Sequence, residues 1–293
     1  MEKAVPLTGR WELPEADGAG LRFLYHTAPG RTVLKLLSRP ALSRLAGRLM
    51  DSRLSRPLIG PFMRRHGIRP EDYLPSGFRC FNDFFCRKIR PELRPLPDDP
   101  GLLIAPCDGR LSAFRLDGDT VLTLKHSRYS LDELLGGDPA AARYRDGLCL
   151  VFRLCVDDYH RYCYPDDGEQ IKRRFLPGVL HTVRPIALKE VPVFFRNCRE
   201  YSILDTVHFG CVTQLEIGAL LVGKIENRLD AGPFSRGEEK GLFRYGGSTV
   251  ILLLEKDRVQ LPEDFFRQSE QGLELRVRQG QPLGRAVSHG QNN

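Results

Sequence analysis

The tetrad Gly246-Gly247-Ser248-Thr249 stands directly before Val250-Ile251-Leu252-Leu253-Leu254, an apolar run that reads as a buried strand. Glycines admit backbone conformations closed to other residues. The Ser248 hydroxyl can then approach the Gly247 carbonyl from the next position along, which supports attack of the chain on itself. Three other segments offer partners. Asp108 lies in the turn Ala105-Pro106-Cys107-Asp108-Gly109. His160 lies in Asp157-Asp158-Tyr159-His160-Arg161, after a strand, and His181 in Pro177-Gly178-Val179-Leu180-His181, on another. Serine, histidine and aspartate are the minimum set for activating a hydroxyl as a nucleophile. Each also has a plainer reading. Gly-Ser-Thr and Asp-Gly are common turns, and an isolated histidine often serves only as a hydrogen-bonding group. The residues by themselves leave both readings open.

The elements that must position these groups fall into two textures. Residues 1–97 read as helical and irregular, with Pro40, Pro57, Pro61 and Pro70 breaking any long helix. Phe81 to Ile89 reads as a helix with an aromatic face, and Pro91, Pro95, Pro97 and Pro100 as a stiff connector. Beyond it come short strands, expected at 148–156, 178–183, 212–225 and 249–254 and separated by glycine turns. The expected fold class is α+β. A helical, basic, membrane-facing region (1–97) packs on a catalytic β domain (98–293) that is mostly antiparallel and barrel-like.

Composition sets outer limits. The chain has 293 residues, 41% hydrophobic and 28% charged, enough for a sizeable core. It contains no apolar stretch of about 18 residues, so no transmembrane helix is expected, and its start does not resemble a signal peptide. The eight cysteines form no Cys-x-x-Cys pair, so no metal is expected, and a reduced cytosol makes disulfides unexpected. The net charge of +7 is concentrated. Residues 31–65 hold nine basic side chains against one acid, Asp51, together with leucines such as Leu42, Leu45 and Leu49 at helical spacing. A basic amphipathic helix suits an anionic membrane surface; a solvated helix packing its leucines inward is compatible with the same pattern. Nucleic acid is not expected, since no aromatic-basic interleaving accompanies the arginines.

In their order and spacing, these segments resemble the phosphatidylserine decarboxylase family. The likeness begins at Phe81-Asn82-Asp83-Phe84-Phe85-Cys86-Arg87 and runs through Arg94-Pro95. It continues through Pro106-Cys107-Asp108-Gly109, Asp158-Tyr159-His160-Arg161, Pro177-Gly178 and Val183-Arg184-Pro185-Ile186-Ala187-Leu188. Asn197-Cys198-Arg199-Glu200-Tyr201, Ile217-Gly218-Ala219, Val222-Gly223, Lys240-Gly241 and the Gly-Gly-Ser-Thr tetrad complete it, over roughly residues 78 to 255. The tetrad's form resembles the bacterial branch called type II.

The resemblance implies a self-processing proenzyme. Ser248, activated by a histidine and Asp108, would attack the Gly247 carbonyl to form an ester, and elimination would cut the chain between 247 and 248. A large subunit (1–247) and a small subunit (248–293) would result, the latter capped by a pyruvoyl group made from Ser248. That covalent group implies decarboxylation of phosphatidylserine to phosphatidylethanolamine through a Schiff base, with no metal. The family further implies a dimer of processed pairs, peripheral on the cytoplasmic side of the cell membrane. Weighed against this are a pyruvoyl decarboxylase of a soluble amino acid, an inactive membrane-binding relative, and a Ser-His-Asp hydrolase, for which the Gly-x-Ser-x-Gly elbow is missing.

The sequence departs from the family at one position. Many members carry His-Arg-x-His, whose second histidine is assigned to the triad; here that position is Cys163. A cysteine does that work at neutral pH only with a lowered pKa. His181 stands where many relatives have tyrosine or serine. The expectation is that His181 fills the vacated space and pairs with Asp108 and Ser248, leaving His160 as proton donor in decarboxylation. The alternative is that His160 does both.

Overall fold

The computed structural model describes residues 9–75, 77–118, 120–124, 127–184, 186–187, 192–220, 224–246 and 248–287, with 120–124 and 127–129 described by backbone only. Gly247, Pro185, Leu188, Val222 and Gly223, all named above, lie outside the described residues.

The central strand is β14 (Ser248–Leu254), buried at all seven positions. It lies between β6 (Leu148–Leu154) and β10 (Gly210–Gly218), antiparallel to both. Both faces of β14 are covered. Val250, Leu252 and Leu254 enter one core, and Ile251 and Leu253 enter the other. A strand buried on both faces has no polar side to show, hence the unbroken apolar run.

Around this axis a nine-stranded sheet forms. On the β6 side follow β3 (Gly109–Arg115), β16 (Glu274–Val277) and β1 (Trp11–Glu12); on the β10 side follow β9 (Arg199–Thr206), β8 (Gly168–Leu176) and β12 (Gly232–Phe234). A second sheet holds β11 (Ile225–Asn227), β13 (Glu239–Phe243) and β7 (Arg161–Cys163). A third holds β15 (Val259–Gln260), β17 (Pro282–Ala286) and β2 (Leu102–Ile104), and β4 (Thr120–Leu124) pairs with β5 (Ser127–Ser130). The expected mix of helix and antiparallel sheet is present. The barrel-like closure is not: the large sheet ends in the edge strands β1 and β12 and does not close on itself. Both ends are strands of two or three residues, a common way for a sheet to stop without inviting further pairing.

The N-terminal half of the chain supplies α1 (Ala19–His26), α2 (Ala28–Leu37), α3 (Pro40–Asp51), α4 (Ile59–His66) and α5 (Phe81–Phe85). Further on are α6 (Leu131–Leu135), α7 (Val193–Arg196) and α8 (Glu263–Glu270). Proline opens α3, where a missing N–H costs nothing, and Gly67 closes α4 in the left-handed conformation, φ 62°. Among the described residues no helix is long and apolar enough to cross a membrane. Residues before 97 also enter the main core: Tyr25 and Leu34 are buried in it, and β1 joins its sheet. The aromatic helix expected over 81–89 ends early, at Phe85, because Arg87 folds back to donate to the carbonyls of Phe84, Asp157 and Asp158.

Candidate active site

Ser248 is the first residue of β14, paired with Leu154 on β6 and Gly218 on β10. Paired residues present their side chains to the same face. Gly218 has none, so room remains beside the Ser248 hydroxyl. That hydroxyl is fully buried and takes no hydrogen-bond partner among the described residues. Buried polar atoms are rarely left so.

A second orphan lies beside the turn that leads to Ser248. His160 is fully buried, its ring 4.1 Å from that of Phe85. Its Nδ1 lies 2.9 Å from the Asp158 carbonyl. A carbonyl only accepts, so Nδ1 carries the proton and Nε2 keeps its lone pair. Among the described residues Nε2 makes no well-formed hydrogen bond; the Gly246 backbone lies within reach of the ring as a weak acceptor. Burial pulls the imidazole pKa down to about 3, so the ring is neutral at physiological pH. The main chain holds it in place: Phe243 N donates to the His160 carbonyl at 2.9 Å. Asp158, two residues earlier, is held by Arg110 at 2.7 Å, and burial pushes its carboxyl up to about 6.

The turn preceding Ser248 is clamped from the other side by aromatic rings. Tyr245 packs edge-on against Phe81 and Phe85, and its N–H donates to Asn82 Oδ1 at 3.1 Å. These phenylalanines form a separate cluster with Phe62 and Met63 of α4. The helical region therefore reaches the turn before Ser248 directly.

Asp108 stands at the head of β3, 8% exposed. It bonds to Arg94 through both oxygens, with Nε to Oδ1 at 2.8 Å and a second contact from Nη2 to Oδ2. Gln279 N adds a third bond to Oδ1, at 2.9 Å. Cys163 lies near this group, its backbone N donating to the Pro106 carbonyl at 2.8 Å. Its thiol is fully buried and pushed up to about 12, so it is no thiolate.

His181 is placed differently from the expectation. Its Nδ1 lies 3.3 Å from the Tyr25 hydroxyl, which itself accepts from Thr182 N. Among the described residues it makes no hydrogen bond to Asp108 or Ser248. Asn197 carries the segment: Oδ1 accepts from His181 N at 2.9 Å, while Nδ2 donates to the carbonyls of His181 and Gly218 at 2.8 and 2.7 Å. His181 is thus tied by backbone to the Gly218 that pairs with Ser248, while its ring faces Tyr25. The strand expected at 178–183 shrinks to one bridge, Val179 to Asn197: side chains of Cys198, Asn197 and Tyr25 take the N–H groups of Gly178, His181 and Thr182, and the Leu180 N–H goes to the Ser38 carbonyl. A Cβ on Gly178 would lie 2.2 Å from the Arg196 carbonyl, so only glycine permits this approach.

A cleft of about 570 Å³ opens on the turn. Gly246, Tyr245 and Leu154, the partner of Ser248, line it together with Phe62, Val183 and Leu220. Arg65 and Arg184 add positive charge. Among the described residues no cluster of histidine, cysteine and carboxylate side chains is suited to a metal.

A sequence model of the phosphatidylserine decarboxylase family matches residues 81–285. The chain belongs to that family. It is 40% identical over 265 residues to the phosphatidylserine decarboxylase proenzyme 2 of Clostridium acetobutylicum, covering 90% of this chain and 91% of that protein. It is 38% identical to the proenzyme of Ruminiclostridium cellulolyticum, with 93% of each chain covered. The proenzyme of Clostridium botulinum (strain Alaska E43) is 35% identical over 285 residues, covering 94% of this chain and 96% of that one. The match takes in all four sequence-derived site residues. Sequence reasoning did not foresee Arg94 as the partner of Asp108 or Asn197 as the bracket of His181. Both fall inside the segments that carry the family likeness, which was the available signal.

Proposed function

We propose that this phosphatidylserine decarboxylase makes its own pyruvoyl group from Ser248, with His160 as the base. The observation that carries the reading is a pair of buried atoms without a well-formed hydrogen bond among the described residues, Ser248 Oγ and His160 Nε2, with the Gly246 backbone within reach of the imidazole. The oxygen has no competing bond, and the nitrogen has a lone pair and no proton.

In this scheme Oγ attacks the Gly247 carbonyl. The Oγ proton passes to Nε2 and on to the departing amide nitrogen, so a C–O bond replaces the C–N bond. Loss of the residue-248 Cα proton with departure of the Gly247 carboxylate then parts the chain into 1–247 and 248–293, and water converts the dehydroalanine left at 248 into the pyruvoyl ketone with release of ammonia. Asp108, clasped by Arg94, positions the loop ahead of β3 and makes no proton transfer of its own. His181 braces the same region through Asn197.

The residues suit a pyruvoyl group at position 248. The site is buried, its neighbour Gly218 leaves space, and the cleft leads to Gly246. When present, that group supplies a ketone that takes up electrons as carbon dioxide leaves phosphatidylserine. His160 Nε2 would take up the proton shed by the substrate's ammonium group and return it to the product carbon. Arg65 receives the anionic headgroup in the cleft, Arg184 being already paired with Glu15 and Asp17, and Phe62, Val183 and Leu220 exclude water.

The helical region 1–97 forms the membrane-facing part and 98–293 the catalytic part. Exposed Leu45, Leu49, Leu54 and Leu58 beside the arginines of α3 and the following turn support peripheral binding at an anionic cytoplasmic surface. Association of two processed pairs as a dimer belongs to the same reading, checked by light scattering. Intact mass should give two chains for the wild type and one of 33.2 kDa for His160→Ala. An uncut wild type rejects self-processing, and normal cutting of His160→Ala rejects the assigned base. Carbon dioxide released from phosphatidylserine vesicles but not from free serine then fixes the substrate.

A further inference from the structure

A second cleft, about 460 Å³, lies on the other side of the catalytic turn, between α3 and the strand β11. Four cations line it, Arg44, Arg48, Lys224 and Arg244, with two carboxylates, Asp51 and Glu226. The carboxylates are already engaged. Glu226 Oε1 takes Arg244 Nε at 2.9 Å and Lys224 Nζ at 3.0 Å. Asp51 Oδ1 takes Asn82 Nδ2 at 2.9 Å and Arg244 Nη1 at 3.5 Å. Among the described residues, Arg44 and Arg48, one helical turn apart on the same face, have no ion-pair or hydrogen-bond partner. The cleft therefore holds two spare guanidinium groups. Guanidinium forks match phosphate oxygens in geometry and charge.

We infer that this cleft binds the phosphodiester of an anionic glycerophospholipid other than the substrate. Leu45 and Leu49, next in sequence to the two arginines, are exposed on the same helix, 61% and 53%. A lipid whose phosphate sat between Arg44 and Arg48 would have these leucines beside its acyl chains. Inorganic phosphate offers the same oxygens but nothing for the leucines. The site also communicates with the reaction. Asn82 holds Asp51 through Nδ2 and the Tyr245 N–H through Oδ1, and Arg244 is the residue before Tyr245. A bound phosphate would fix α3 against the segment that carries Gly246. The inference borrows from the proposed function only the membrane as source of the lipid; it does not depend on which histidine is the base.

The test uses the purified, processed protein and dihexanoyl-phosphatidylglycerol, which has no amine to react. Calorimetric titration is run on wild type, on Arg44→Gln/Arg48→Gln, and on Arg53→Gln/Arg56→Gln, which removes the same charge outside the cleft. The expected result is a loss of about tenfold in affinity for the first variant and less than about twofold for the second. Hydrogen exchange should show protection at 44–51 on lipid addition in the wild type and in Arg53→Gln/Arg56→Gln, but not in Arg44→Gln/Arg48→Gln. Equal losses in both variants reduce the effect to net charge and overturn the site. So does unchanged binding in Arg44→Gln/Arg48→Gln. Inorganic phosphate binding as tightly as the lipid overturns the lipid as the ligand.

Discussion

Arg94 grips Asp108 through Nε and Nη2, and the two side chains are only 13% and 11% exposed. The carboxylate that the triad pattern would give to a histidine is thus committed to a guanidinium. Asp108 already accepts from Arg94 and from Gln279 N, contacts that hold the β2–β3 turn.

Arg94→Met follows as the first test. It leaves the Asp108 charge nearly buried and half-paired, which costs about 2–3 kcal/mol. Urea unfolding should show that loss. Self-cleavage should slow, since the turn beside Cys163 and Gln279 loosens, but the chain should still be cut. Arg94→Met/Asp108→Asn should recover most of the stability. If the double variant is as unstable as the single, the ion pair is not the cause.

His160 sets an acid limit. Its folded pKa lies near 3 and the unfolded imidazole titrates near 6.5, so below 6.5 the unfolded chain binds the extra proton. Its contribution to stability is therefore complete above pH 6.5 and is lost as pH falls toward 3, at up to about 1.4 kcal/mol per unit. Asp158 acts in the opposite sense. Its folded pKa is raised to about 6 from 3.8, so its contribution is present below pH 3.8 and lost as pH rises through 6. Over pH 4–6 the two slopes oppose. His160→Gln should therefore flatten or invert the acid loss of stability in that window, read as unfolding free energy at pH 4, 5 and 6. An unchanged slope would contradict a buried neutral imidazole.

Much of the site was legible in the sequence for physical reasons. The run Val250–Leu254 could only be a strand covered on both faces, and Ser248 had to open it. The Asp108 turn and the position of His160 after β6 were legible from glycine and polar punctuation. What was not legible is where partners from distant segments arrive. Arg94, 14 residues before Asp108, takes the place offered to an imidazole. The ring of His181 turns to Tyr25 of α1, 156 residues away in sequence. Nothing in the pattern of 178–183 shows that Asn197 satisfies its backbone, so a strand was expected there. Alternating and apolar runs show pairing but not closure. The open sheet is decided by the short strands β1 and β12, whose two or three residues carry almost no pattern.

His181→Ala separates the two histidines. Its ring bonds only to Tyr25 among the described residues, so cleavage should persist at near the wild-type rate on a gel. Stability should fall by about 1 kcal/mol, the worth of one hydrogen bond and some packing. Tyr25→Phe should cost a similar amount, and the two losses should not add, because they remove the same contact. Abolished cleavage in His181→Ala would restore the relocated triad that the Cys163 substitution first suggests.

Lys240 and Glu216 make the most stringent test of how the catalytic turn is anchored. Both are fully buried, joined by two bonds of 2.9 Å, and they tie β13 to β10. Burial pulls the lysine pKa down and pushes that of the glutamate up, so each charge persists only because of the other. β13 leads into the turn and β10 holds Ser248 from the side, so the pair spans the proposed cut. Cleavage between 247 and 248 would leave nothing covalent between Phe243 and Ser248, and this pair would then hold β13 to β10. Lys240→Met strands a buried carboxylate and should cost about 3–5 kcal/mol. Lys240→Met/Glu216→Leu should return to within about 1 kcal/mol of wild type, because Asn227 keeps Glu200 at 2.8 Å and Tyr162 at 3.1 Å. The double variant should nonetheless cut more slowly than wild type, since an apolar contact fixes the turn's direction less firmly than three hydrogen bonds to Nζ. Full-rate cleavage in that variant would confine the pair to stability alone.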